Sequence, residues 1–205
     1  RYLWLNNVHF LYNIVHKMNN NLFGNGKERI LKCFYRNRTK EVYFSEILRE
    51  TKLTQNTTLK HLKNLQNIGL VNSKKKIGNT FYKINLKNPL VYSIFSYFDY
   101  KRFNELPPER KRAINEFLDK IRIKPLITLI FGSTAKGTFG KESDIDMYID
   151  TEDREVKKHV ERIDTKISVK IGKYDPASPL IREIDKNHII IKGVEEYYEK
   201  NQFFA

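Results

Sequence analysis

Two aspartates one residue apart, Asp144 and Asp146, follow the pair Gly132-Ser133 after ten intervening residues. On a β-strand successive side chains alternate faces. The two carboxylates therefore project together, while Ile145, Met147 and Ile149 turn toward a core. Carboxylates a few ångströms apart repel one another unless a cation lies between them. Such oxygen ligands suit Mg²⁺ (or Mn²⁺) bridging the phosphates of a nucleoside triphosphate. Gly132, lacking a Cβ, lets backbone N–H groups approach an anion closely. Paired carboxylates beside a phosphate-cradling loop are a constellation for nucleotide chemistry.

The elements that must position these groups are legible nearby. The apolar run from Leu126 to Phe131 predicts a buried strand, and Asp144 is expected to begin a second. With Ala135, Lys136, Gly137 and Ser143 in place, this string resembles the minimal nucleotidyltransferases of the DNA polymerase β superfamily. The family more often carries arginine where Lys136 stands. The resemblance covers roughly residues 107–195, and Lys186 to Gly193 is similar to the closing segment of archaeal members. It implies that Asp144 and Asp146 hold the metal and, with Ser133, form the catalytic centre. Gly132 and Ser133 would hold the β- and γ-phosphates, and Lys136 would neutralise phosphate charge. The implied cofactors are Mg²⁺ or Mn²⁺ and a nucleoside triphosphate, with ATP expected. An acceptor hydroxyl would attack the α-phosphate and release pyrophosphate. That acceptor could sit on a protein, as in antitoxins of this family that nucleotidylate a partner toxin.

The sequence departs from the active pattern at one place. Active members carry a third carboxylate on the strand corresponding to residues 166–171, whereas the outward positions here are Ser168 and Lys170. Asp164 and Asp175 lie at the two ends of that strand.

The net charge of +14 is unevenly spread: residues 1–125 carry a balance of +16 and residues 126–205 a balance of −2. A basic half of this kind points to an anionic partner, most simply nucleic acid. Its pattern is a helix over residues 27–37, an extended piece at Val42-Tyr43-Phe44, and a second helix capped by Ser45. Thr54 then caps a third helix with Leu59, Leu62, Leu65 and Ile68 as its buried stripe, and Gly69 ends it. Two alternating strands follow around a basic Gly-Asn tip. This order resembles the winged helix-turn-helix regulators of the MarR and ArsR type. The resemblance implies double-stranded DNA as partner. Gln55, Asn56, Thr57 and Thr58 would meet base edges, Lys60, His61 and Lys63 the backbone, and wing residues Lys74, Lys75 and Lys76 the phosphates.

The expected architecture is α+β in two domains. Residues 1–88 form a winged helix-turn-helix domain with an N-terminal extension. Residues 89–106 form an aromatic-rich linker helix and candidate homodimer interface. Residues 107–205 form a polymerase β-like nucleotidyltransferase domain, a small mixed sheet flanked by helices. The amphipathic stretch from Leu3 to Phe23 is a further candidate for the same interface. Arginine at position 1 implies that an initiator methionine, if not more, precedes it.

With 40% hydrophobic residues the chain is not of the disordered class. The single cysteine, Cys33, excludes an intrachain disulfide. No run reaches membrane-spanning length and no secretory signal is visible, so a cytoplasmic location and no membrane partner are expected. The five histidines, His9, His16, His61, His159 and His188, lack ligand spacing. Two functions follow. The first is a Mg²⁺-dependent nucleotidyltransferase coupled to a DNA-binding winged helix. The alternative is a transcriptional regulator whose degenerate nucleotidyltransferase domain senses nucleotide or acts as an antitoxin-like module.

Overall fold

The computed structural model describes residues 24–38, 40–76, 78–121, 126–155, 158 and 166–201, and divides into two compact units, up to Phe98 and from Asp99. The expectations for Leu3 to Phe23 and for Asp164 lie outside these residues.

In the first unit, helix α1 (Asn25–Arg36) turns Ile30, Leu31, Phe34 and Tyr35 inward, as helical periodicity demands. Strand β1 (Val42–Tyr43) runs directly into α2 (Phe44–Thr51). The expected cap at Ser45 is therefore corrected. Tyr43 occupies the cap position, and the Glu46 carboxylate reaches back to accept its backbone N–H at 2.9 Å. That acceptor satisfies a donor with no helical partner, so the helix can start earlier.

Thr54 caps α3 (Gln55–Asn67) as expected, its hydroxyl accepting from Thr57 N–H, and Gly69 follows in the left-handed conformation at φ +70°. The buried stripe of α3 is Thr58, Leu62 and Leu65, while Leu59 is 43% and Ile68 46% exposed. A repeat of three falls about 60° short of a full turn at each step, so an every-third-residue series drifts off one face. Spacings of four and three keep to it.

Strands β2 (Val71–Lys76) and β3 (Asn79–Ile84) form the wing hairpin, with Lys76 opposite Asn79 and β3 between β1 and β2. Helix α4 (Leu90–Asn104) starts where Asn88 Oδ1 accepts from Leu90 N–H. Its Phe95 and Phe98 pack against Tyr35 at 5.4 and 5.3 Å between ring centroids, so part of the aromatic segment is internal core.

The second unit contains α5 (Pro108–Lys120), β4 (Thr128–Ile130), α6 (Gly132–Lys136) and β5 (Ile145–Asp150). It continues with β6 (Ile167–Gly172), α7 (Pro179–Lys186), β7 (Ile189–Lys192) and α8 (Val194–Lys200). The sheet order is β6-β5-β4-β7, with β5 and β6 parallel and the other pairs antiparallel. This is the expected mixed sheet with helices. Ile127, Leu129 and Ile130 are fully buried, as are Met147, Ile149 and Ile190. The ordered strand before the glycine-serine pair is shorter than its apolar run.

Candidate functional site

Gly132 opens α6 with φ +64°, a left-handed conformation that glycine adopts without a Cβ penalty. A Cβ at this position would overlap Asp146 Oδ2 and stand 3.1 Å from Asp146 Cγ. The Asp146 carboxylate thus lies directly against the glycine. The backbone supports that approach, because Phe131 N–H donates to Asp146 O at 3.0 Å. Strand β5 begins at Ile145, one residue later than expected, leaving Asp144 exposed at its entrance and Asp146 half-buried. Ile145, Met147 and Ile149 face inward as expected; Tyr148 is buried too. Burial foremost, and then the Asp144 charge, push the Asp146 carboxyl above the ordinary aspartate range, against the opposing effect of Lys170. Ser133 is half-buried in the first turn of α6. Lys136 is exposed in its last turn, at the far end from Gly132, where its charge also bears on Glu183.

Two arginines absent from the sequence reading anchor this turn. Arg102, in α4, donates to Ala135 O and to His188 O and Asn187 Oδ1, the last two at 2.6 Å. A cation at the carbonyl end of a helix is favourably placed. Arg110 is buried in α5 and donates to Thr134 Oγ1 at 2.9 Å, Gly140 O at 3.0 Å and Ser143 O at 2.7 Å. One signal could have found it. Arg110, Ile114 and Phe117 form the buried stripe of α5, and an arginine on an apolar stripe needs polar partners in the interior.

On the helix-turn-helix, Gln55, Asn56, Lys60 and Lys63 are exposed along α3, and Lys74 and Lys75 are exposed on the wing. Lys76 is exposed as well but ion-paired with Glu41, and it lies 5.0 Å from the Phe81 ring centroid. Thr57 is half-buried and hydrogen-bonded to Thr54. Thr58 is corrected, because its side chain is buried and its hydroxyl donates to Thr54 O, which removes it from the outer face. His61 is corrected too. Its ring packs on α1 so closely that a Cβ on Gly26 would stand 2.7 Å from His61 Cδ2, and its Nδ1 is buried without a hydrogen-bond partner. Burial foremost, then Lys27 and Lys60, lower its pKa. Leu59, expected in the core, lies on the exposed face instead.

Residues 112–197 match the family model of Polymerase beta, Nucleotidyltransferase, and residues 29–73 match that of the bacterial regulatory protein, arsR family. The chain carries a polymerase β-type nucleotidyltransferase domain behind an ArsR-type helix-turn-helix. No curated protein and no solved structure matches the chain. Among the described residues no helix is long and apolar enough to cross a membrane.

The nucleotidyltransferase domain can be tested against the metal chemistry its family implies. Two carboxylates near enough that the charge of Asp144 bears on Asp146, the latter against a Cβ-free glycine, suit one hard cation whose other ligands would come from phosphate and water. Among the described residues no third carboxylate joins the pair to hold a second cation. The parallel register sets Ser168 beside Asp146 and Lys170 beside Tyr148. Asp175 Oδ1 accepts instead from Ala177 N–H within its own turn. Among the described residues no group of three or more His, Cys, Asp or Glu is placed to hold a metal ion. The described residues fit one cation with nucleotide.

Proposed function

We propose that the chain is a DNA-binding regulator whose nucleotidyltransferase domain takes up a nucleoside triphosphate together with one divalent cation. The observation that carries this reading is the strand register, which sets Ser168, not a carboxylate, beside Asp146. Asp144 and Asp146 would hold Mg²⁺ or Mn²⁺. Gly132 and Ser133 would meet the phosphates through N–H groups at the start of α6, and Lys136 is a further phosphate-neutralising candidate. When bound, the cation supplies charge compensation to the triphosphate. ATP is the nucleotide to try first. The test is calorimetric titration with each nucleoside triphosphate, with and without Mg²⁺, followed by DNA binding in the presence and absence of that nucleotide. Cation-dependent nucleotide affinity that shifts operator affinity supports the reading; DNA binding indifferent to every nucleotide sinks the sensor.

A second reading, transfer of a nucleoside monophosphate to an acceptor hydroxyl on a protein or nucleic acid, is favoured by the intact Gly132-Ser133 turn and aspartate pair. The two readings separate at Ser168→Asp. Adjacent strands lie about 4.8 Å apart, so a carboxylate at 168 would join the pair. Ser168→Asp is expected to raise pyrophosphate release roughly tenfold or more over the wild type. A wild type that already turns over rapidly would favour the transferase.

The DNA surface of this reading is the outer face of α3, with Gln55, Asn56, Lys60 and Lys63, plus Lys74 and Lys75 on the wing. Lys63→Ala is expected to weaken binding across DNA sequences and to lower the salt slope by about one. Asn56→Ala is expected to cost roughly 1–3 kcal/mol on a selected site and little elsewhere. Fluorescence anisotropy at several salt concentrations checks both; an unchanged slope in Lys63→Ala removes that residue from the interface.

A further inference from the structure

We infer that Arg110 is a positioning residue that sets the reach of Asp144, and through it the affinity of the site for a cation-bound triphosphate. The inference rests on the nucleotide-binding reading above. The two aspartates are held by different means. Asp146 belongs to β5 and is fixed by the sheet, with its carbonyl accepting from Phe131 N–H. Asp144 precedes the strand, and the carbonyl immediately before it, Ser143 O, is gripped by Arg110 at 2.7 Å. The same guanidinium holds Gly140 O, earlier in the loop, and Thr134 Oγ1 on the glycine-serine turn. It also stacks over the Phe139 ring, 4.2 Å from the centroid. One side chain thereby ties the turn that would meet phosphate to the loop that presents a cation ligand.

The partners are two carbonyls, a hydroxyl and a ring, with no carboxylate among them. A buried cation without a countercharge is costly, and a salt bridge does not explain its presence. A fork of fixed donors does, because arginine can satisfy three oxygens at set angles where lysine, a point charge on a flexible stem, cannot. Small displacements of a ligand-bearing group have large consequences for function.

The test uses the full chain and Arg110→Lys, which keeps the charge and loses the fork. Mn²⁺·ATP affinity and ATP affinity in chelator are both measured by calorimetry, alongside thermal melting. Arg110→Lys is expected to lose about tenfold in Mn²⁺·ATP affinity while its metal-free ATP affinity stays within about twofold. Phe139→Leu, which removes the stacked ring but retains apolar bulk, is expected to show a smaller loss of the same kind and serves if Arg110→Lys does not fold. Wild-type Mn²⁺·ATP affinity in either folded variant overturns the inference. So does an equal loss of both affinities, which is what mere structural support gives. A wild type that binds no ATP, with or without Mn²⁺, refutes the nucleotide-binding reading itself and Arg110's role with it.

Discussion

Asp146→Asn is expected to abolish cation-dependent nucleotide binding, a loss of roughly a hundredfold or more, and at the same time to raise the melting temperature of the metal-free protein. Both effects have one origin. Burial and the neighbouring Asp144 charge raise the Asp146 pKa, so the folded chain binds that proton more tightly than the unfolded chain does. Where the native state holds the extra proton, stability falls as pH rises, from the ordinary aspartate range up to the raised value. Above that raised value the cost is present in full. Asparagine removes it, while a bound cation relieves it in the wild type. Because Asp146 is only half-buried, water screens part of the effect. The expected gain is therefore small, roughly one to three degrees. Scanning calorimetry with and without Mg²⁺ and ATP reads both predictions. Mg²⁺·ATP should raise the wild-type midpoint and leave the variant's unchanged. A variant that retains wild-type cation dependence would remove Asp146 from the site.

The pair Gly132→Ala and Gly137→Ala should separate backbone strain from steric displacement. Both glycines are left-handed, at φ +64° and +72°, so alanine costs about 1–2 kcal/mol at either position. Only at Gly132 does the new methyl meet a functional group, overlapping Asp146 Oδ2, whereas nothing lies within 4 Å at Gly137. Gly137→Ala is expected to lower stability and leave Mg²⁺·ATP affinity within about twofold of wild type. Gly132→Ala is expected to lose stability to a similar or greater degree and at least about tenfold in that affinity, because the carboxylate must move. Equal affinities in the two variants would show that Asp146 does not act from its position against Gly132.

Much of the helix-turn-helix was readable because its signals are local. Thr54 caps α3 by a contact to Thr57, three residues away, and Gly69 stops the helix by its own backbone freedom. The interior of α3 was less readable. Leucines at 59, 62, 65 and 68 make a plausible stripe on paper, and only packing against α1 and α2 selects Thr58, Leu62 and Leu65. That rotation withdraws Thr58 from the proposed DNA face and brings Leu59 to it. His61 turns toward Gly26 for the same reason.

In the nucleotidyltransferase domain, the sequence by itself determined the paired aspartates, the glycine-serine turn and the outward residues Ser168 and Lys170. Alternation along a strand and the absence of a Cβ are properties of the chain at each position. Tertiary structure alone decided that Ser168 lies beside Asp146, since pairing register depends on how separate strands meet. It alone decided that Asp146 rests against Gly132. It also decided the place of Arg110, whose oxygen partners lie 24 to 33 residues along the chain. Residue type and spacing write a backbone's local conformation and side-chain direction. Which groups converge from distant segments is written only when the core closes, because apolar burial then chooses one face and one register from several that the sequence allows.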